Sequence, residues 1–168
     1  MEFQSCFDII GPIMVGPSSS HTAGVVSIGK FVYELLGHIP EETTIVFYDS
    51  FAETYQGHGT DKAIIGGLLG MNTDDVRIKD AFEWATVYNM KHRFEFEERC
   101  HYVEHPNTVI VTAKKGNRTV KVGGVSLGGG VSKIFMVDDE MVDVRLGAEE
   151  DFELLMTLYN LKEKVMQL

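Results

Sequence analysis

The chain has 168 residues, 44% of them apolar and 24% charged, which suits a soluble globular protein with one sizeable core. A formal net charge of -10 argues against a nucleic-acid partner, since nothing in the sequence would neutralise a run of phosphates. No segment approaches the roughly 20 apolar residues that cross a bilayer, and the N-terminus lacks the basic and apolar regions of a secretory signal, so no membrane association and a cytoplasmic location are expected.

In chain order, the apolar opening Phe7 to Gly16, interrupted by Gly11, Pro12 and Gly16, reads as a short helix or extended piece entering a tight loop. Val25, Ile28, Val32, Leu35 and Leu36 recur at helical spacing and predict a helix over Thr22 to Leu36, with Ser18, Ser19 and Ser20 at its cap and Gly37 as its stop. Thr43 to Tyr48 reads as a buried strand. A loop at Gln56-Gly57-His58-Gly59 precedes a helix over Asp61 to Leu69, in which Gly66-Gly67 allows close packing. A third helix is predicted over Asp74 to Tyr88, with Val76, Ile78, Phe82 and Ala85 turned inward.

Strand character follows over Arg93 to Glu98, Thr108 to Thr112 and Arg118 to Val125, with Lys115-Gly116-Asn117 as a hairpin turn. A further strand, Lys133 to Val137, comes after the Gly128-Gly129-Gly130 cluster, and Phe152, Leu155, Leu158 and Leu161 mark a helix over Glu149 to Met166. Helices in the first half and strands in the second point to an α+β fold. Lys114, Lys115, Arg118 and Lys121 read as the solvated charges of the hairpin.

Four short stretches carry candidate chemistry. In Gly16-Pro17-Ser18-Ser19-Ser20-His21-Thr22-Ala23-Gly24, hydroxyls and an imidazole gather at a helix mouth, where unpaired amides suit a carboxylate or phosphate. Simple capping by the serines is the plainer reading, and the lysine of a nucleotide-binding P-loop is missing. In Gly57-His58-Gly59-Thr60-Asp61, glycines leave an imidazole open for acid–base work, with Asp61 placed to orient it or, more plainly, to cap the next helix. His105-Pro106-Asn107-Thr108 reads as a polar turn into a strand. Ser126-Leu127-Gly128-Gly129-Gly130 exposes main-chain amides to a ligand or partner, or else bends the sheet. His38, His92 and His101 look like surface histidines. No Ser/His/Asp spacing, zinc signature or dinucleotide fingerprint is present. Cys6 and Cys100 fit no metal-binding spacing and read as free thiols, too few to hold a cubane cluster.

Taken together, these stretches resemble the iron–sulphur-dependent L-serine dehydratases, specifically their beta part. The resemblance runs from Phe7-Asp8-Ile9-Ile10-Gly11-Pro12 and the Gly16–Gly24 motif through Ser50-Phe51-Ala52-Glu53-Thr54 and Gly57–Asp61. It continues to His105-Pro106-Asn107 and Ser126–Gly130, and covers roughly residues 3 to 140. It implies a mixed sheet covered by helices, similar to the allosteric substrate-binding domain of phosphoglycerate dehydrogenases. It further implies a 4Fe–4S cluster ligated by a cysteine-bearing alpha chain and not by this one, which polarises the hydroxyl of L-serine on the way to pyruvate and ammonia.

On that resemblance the expected catalytic residues are His58, His21 and Asp61, with His58 preferred for proton transfer. Ser18, Ser19, Ser20, Thr22, Thr60, His105, Asn107, Gly128 and Gly129 are expected to bind substrate, and the chain is expected to hold no metal and to be inactive alone. The expected partners are the alpha chain, L-serine and a second copy of this chain. Residues 1–145 are expected to form the beta domain and 146–168 a helical tail, without a recognisable ACT domain of the roughly 60 to 70 residues that often follows in the family. The alternative is a non-catalytic regulatory module that binds serine or a related small carboxylate.

Overall fold

The computed structural model describes residues 13–147 together with Thr157 and Tyr159. The expectations for Cys6, for the opening before residue 13 and for most of the tail helix lie outside the described residues; Thr157 and Tyr159 are themselves helical.

A π-helical turn, Ser19–Ala23, leads directly into helix α1, Gly24–Leu36. All five apolar positions expected to face inward are buried. Gly37 closes the helix in the left-handed region at φ 79°, its N–H reaching the carbonyls of Tyr33 and Glu34. Strand β1 (Glu42–Tyr48) is followed by α2 (Ser50–His58) and α3 (Thr60–Leu68). A 3-10 turn, Val76–Asp80, precedes α4 (Ala81–Val87). The chain then runs through β2 (Lys91–Glu97), β3 (Thr108–Lys115), β4 (Arg118–Gly128), β5 (Val131–Val137) and β6 (Glu140–Leu146).

The six strands form one sheet in the order β2-β1-β3-β4-β5-β6. Only β1 and β2 run parallel; every other pair is antiparallel, so the sheet is mixed and the fold α+β as expected. The core packs α1 and α3 against Ile45 and Phe47 of β1, Val109 and Val111 of β3, and Val120 and Val122 of β4. The opposite face carries a smaller cluster of Tyr48, Ile110, Val125, Phe135 and Met136, against which Cys100 and Val103 lean.

The two main helices cross main chain to main chain. A methyl on Gly29 would lie 2.6 Å from the carbonyl oxygen of Ile64, and one on Gly67 would overlap the carbonyl oxygen of Val26. Gly67 is the close-packing glycine of the expected Gly66-Gly67 pair, whereas Gly66 faces the side chain of Ile78.

Three expectations are corrected. Gln56 to His58 is not a loop: it is the last turn of α2, and the break before α3 is the single residue Gly59, held at φ 68°. Two glycines read as a loop, but Gly57 sits on an exposed turn with open space around it, where a missing side chain costs no packing. The helix expected over Asp74 to Tyr88 is split, because the Asp75 carboxylate accepts from the Arg77 main-chain N–H and caps a tight 3-10 turn. Val76 consequently points outward, 68% exposed, while Ile78 and Ala85 are buried as expected. The third correction is β6, which the sequence reading missed. It is joined to β5 by Asp138 and Asp139, both at positive φ, as a two-residue hairpin turn requires.

Candidate active site

The π-helical turn is built by its first hydroxyl. Ser18 Oγ accepts from the His21 main-chain N–H at 3.2 Å and lies 3.3 Å from His21 Nδ1, and the Ser18 carbonyl accepts from the Thr22 N–H at 2.9 Å. One side chain thus caps the turn and touches the imidazole that the turn presents. Thr22 is buried, and its hydroxyl donates to the main-chain carbonyl of His58 at 3.3 Å, tying the turn to the end of α2.

Across that tie the two imidazoles meet. The rings of His21 and His58 stack with centroids 4.6 Å apart and planes inclined by 29°. Phe51, in the first turn of α2, presents its ring to His21 edge-on at 5.2 Å. Burial first, and the nearby His58 second, hold the His21 imidazole below the ordinary histidine pKa. Near neutral pH His21 is therefore an uncharged ring.

After His58 the chain turns at Gly59 and enters α3. Thr60 is fully buried, and its hydroxyl has no hydrogen-bond partner among the described residues. Asp61 is half-buried and accepts from the Lys62 N–H at 2.8 Å; burial raises its carboxyl pKa and that hydrogen bond opposes the rise. Among the described residues no hydrogen bond joins Asp61 to His58, so the ring stack is what orients the His58 imidazole. Beside it opens a pocket of about 180 Å³, lined by Gly16, Pro17, Thr22, His58, Gly59 and Lys62 among others. An apolar cavity of about 150 Å³ holds a benzene, so this one has room for a small amino acid.

The other two motifs abut this centre from the sheet side. The carbonyl of Pro106 accepts from the Phe51 N–H at 3.4 Å, and that of Asn107 accepts from the Ser126 N–H at 3.0 Å. His105 Nδ1 accepts from the Asn107 N–H at 3.1 Å, and the Thr108 hydroxyl donates to the His105 carbonyl at 2.6 Å. Burial lowers the His105 pKa, partly countered by the charge of Asp49. These bonds make His105 and Asn107 braces for the start of α2 and the end of β4.

Ser126 is fully buried under α1, its hydroxyl unpaired among the described residues, and a methyl on Gly24 would overlap its oxygen. The Ser132 hydroxyl donates to the Gly24 carbonyl at 2.6 Å. Gly128, Gly129 and Gly130 take φ values of 93°, 62° and 81° and form the turn from β4 to β5.

The first two motifs are thus in direct contact; the Pro106 carbonyl bonds the third to Phe51, which packs on His21, and the Asn107 carbonyl bonds the third to Ser126 of the fourth. Gly128 and Gly129 lie at the hairpin tip, in a conformation that glycine supplies. Ser19 and Ser20 stand in the π turn. Three residues were given no role by the sequence reading. Phe51 carried no polar signal. Lys62 sat one residue beyond the quoted motif. Asp49 holds a non-glycine residue at φ 50° and ψ -125° at the head of α2, a geometry that propensity does not announce.

Among the described residues no group of three or more His, Cys, Asp and Glu side chains is placed to hold a metal ion. Cys100 lies with the cluster on the far face of the sheet, away from the histidines. The described residues therefore do not form a thiolate set for an iron–sulphur cluster. No described helix is long and apolar enough to cross a membrane.

A mixed six-stranded sheet whose helical side carries a stacked imidazole pair beside a small pocket defines a protein of the α+β class. Within that class, the model of the serine dehydratase beta chain family matches residues 5–139, and the chain belongs to that family. It is 48% identical over 134 residues to the probable L-serine dehydratase, beta chain, of Bacillus subtilis (strain 168), covering 80% of this chain and 60% of that one. It is 39% identical over 142 residues to the L-serine dehydratase, beta chain, of Peptoniphilus asaccharolyticus, covering 84% and 64% respectively. L-serine dehydratase 2 of Escherichia coli (strain K12) is 34% identical over 158 residues, and the match covers only 34% of its length. The chain thus spans less than two thirds of each of these relatives.

Proposed function

We propose that this chain is the beta subunit of an L-serine dehydratase, and that it works with an alpha chain carrying a 4Fe–4S cluster to convert L-serine to pyruvate and ammonia. The observation that carries this reading is the stacked His21–His58 pair beside a pocket sized for an amino acid. The names of its relatives, two of them beta chains of L-serine dehydratases, point the same way. A Lewis acid for the serine hydroxyl is the alpha chain's contribution; the roles below belong to this chain.

Elimination requires removal of the Cα proton of serine and departure of its hydroxyl with a proton as water. The aminoacrylate so formed tautomerises and takes up water to give pyruvate and ammonia. His58 lines the pocket and takes the Cα proton. His21, kept neutral by burial, stacks on it, so the charge that develops on His58 meets no second cation. Main-chain amides of the π turn that starts at Ser19 are the donors we assign to the carboxylate, with Ser18 just before it. Thr22 gives its hydroxyl to the His58 carbonyl and so positions the base.

Anaerobic mixing with a candidate alpha chain, followed by a pyruvate assay on L-serine, tests this reading. His58→Ala should lower kcat by about 10²–10⁴-fold with a smaller change in KM. Serine binding without turnover in any mixture would instead support the regulatory module.

A further inference from the structure

A carboxylate drawn into a half-buried pocket needs a cation or strong donors, because an ionised group taken from water without a partner is costly. The hydroxyls of Ser18 and Thr22 already serve His21 and His58, and neither carries charge. Lys62 stands on the first turn of α3, just beyond the Gly59 break, and lines the same pocket as Thr22 and His58. Its ammonium donates to the main-chain carbonyl of Lys79 at 2.7 Å, which draws the side chain across from α3 to the 3-10 turn. That bond uses one of three N–H donors. Among the described residues no carboxylate forms a salt bridge with Lys62, Lys79 or Lys114, whereas Lys30, Lys91, Lys115, Lys121 and Lys133 each have one; of the three, Lys62 is the one whose ammonium is fixed beside the pocket by a hydrogen bond.

We propose that Lys62 is the carboxylate-binding cation of this site, and that the pocket therefore selects small amino acids with a free, ionised carboxylate. The inference rests on the reading above for the identity of L-serine, and adds the charge that the serine-rich turn lacks. Lys79 also borders the pocket, but it meets Lys62 through its carbonyl and so holds the ammonium in place. Val15, Pro17 and Ile78 supply the apolar part of the lining, while Lys62 is itself exposed, so the ion pair would form at the mouth of the pocket.

Two measurements test the proposal. In the complex with the alpha chain, Lys62→Met should raise the KM for L-serine at least about tenfold, with a smaller effect on kcat, and Lys62→Arg should fall between. In the full-length chain alone, the His58 imidazole resonances should respond to L-serine at concentrations at least about tenfold lower than to L-serinamide, which lacks the carboxylate. Lys62→Met, or Lys62→Gln should the first variant fold poorly, should erase that preference. An unchanged preference in the variants, or no response of His58 to either ligand, overturns the proposal. Failure of every mixture to produce pyruvate while the preference persists would remove the dehydratase reading and leave the carboxylate site standing.

Discussion

His21 and His58 come from two different helical segments, yet their rings stack 4.6 Å apart, and the hydroxyl of Thr22 is bonded to the His58 carbonyl beside them. Two imidazoles at that distance disfavour a second positive charge.

This has a consequence for pH. The folded-state pKa of His21 is lowered from 6.5, so the unfolded chain binds that proton more readily than the native one. The stability this residue contributes is complete above the ordinary histidine value and is lost as pH falls through the lowered one. Denaturant unfolding between about pH 8 and pH 5 should show falling stability on the acid side, with a shallower fall in His21→Gln. Proton NMR should place the His21 midpoint below 6.5 and move it upward in His58→Gln. A His21 titration unmoved by that change would sink the coupling.

Gly24 and Ser126 form a tight pair, since any Cβ at Gly24 meets both atoms of the serine side chain and lies 3.0 Å from Ser132 Oγ. Gly24→Ala should destabilise the fold by about 1–3 kcal/mol. Ser126→Gly removes the obstructing atoms, so the double variant should recover much of that loss in a denaturation cycle. Simple additivity of the two changes would contradict the contact.

At the helix crossing the obstruction is main chain, which cannot rotate away. Gly29→Ala should lower the melting temperature more than Gly57→Ala, whose Cβ meets nothing within 4 Å. By calorimetry the Gly29 change should cost about 2 kcal/mol or more, and the Gly57 change should be neutral or stabilising.

The hydroxyl of Thr60 is fully buried without a partner among the described residues. An isosteric Thr60→Val change should therefore raise stability, by about 1 kcal/mol. If the variant is instead no more stable than the parent, the hydroxyl has a partner in solution. Loss of serine turnover in a stabilised variant would mark a ligand as that partner.

Much of this architecture was legible. The helical spacing of Val25, Ile28, Val32 and Leu35 located α1 within two residues, and Gly37 ended it as glycine at that position should. What escaped was set by tertiary context. Propensity read Gly57 and Gly59 as one loop, but only Gly59 needs the left-handed conformation. β6 alternates Val142, Val144 and Leu146 toward the core, yet its Asp138-Asp139 turn lacks the glycine by which hairpins are usually recognised. At the site, the motifs named the histidines, but their stacking depends on contacts between segments distant in sequence. Asp61, close to His58 in sequence, gives one carboxylate oxygen to the Lys62 amide and makes no hydrogen bond to His58 among the described residues.

The crossing at Gly29 and Gly67 reaches beyond packing. His21 lies in the π turn that leads into α1, His58 ends α2 one residue before α3 begins, and α1 and α3 are seated against each other without intervening side chains. The gap between the imidazoles is accordingly inherited from the scaffold before any small molecule arrives. A site preorganised in this way spends little of its ligand's affinity on ordering the groups that will act.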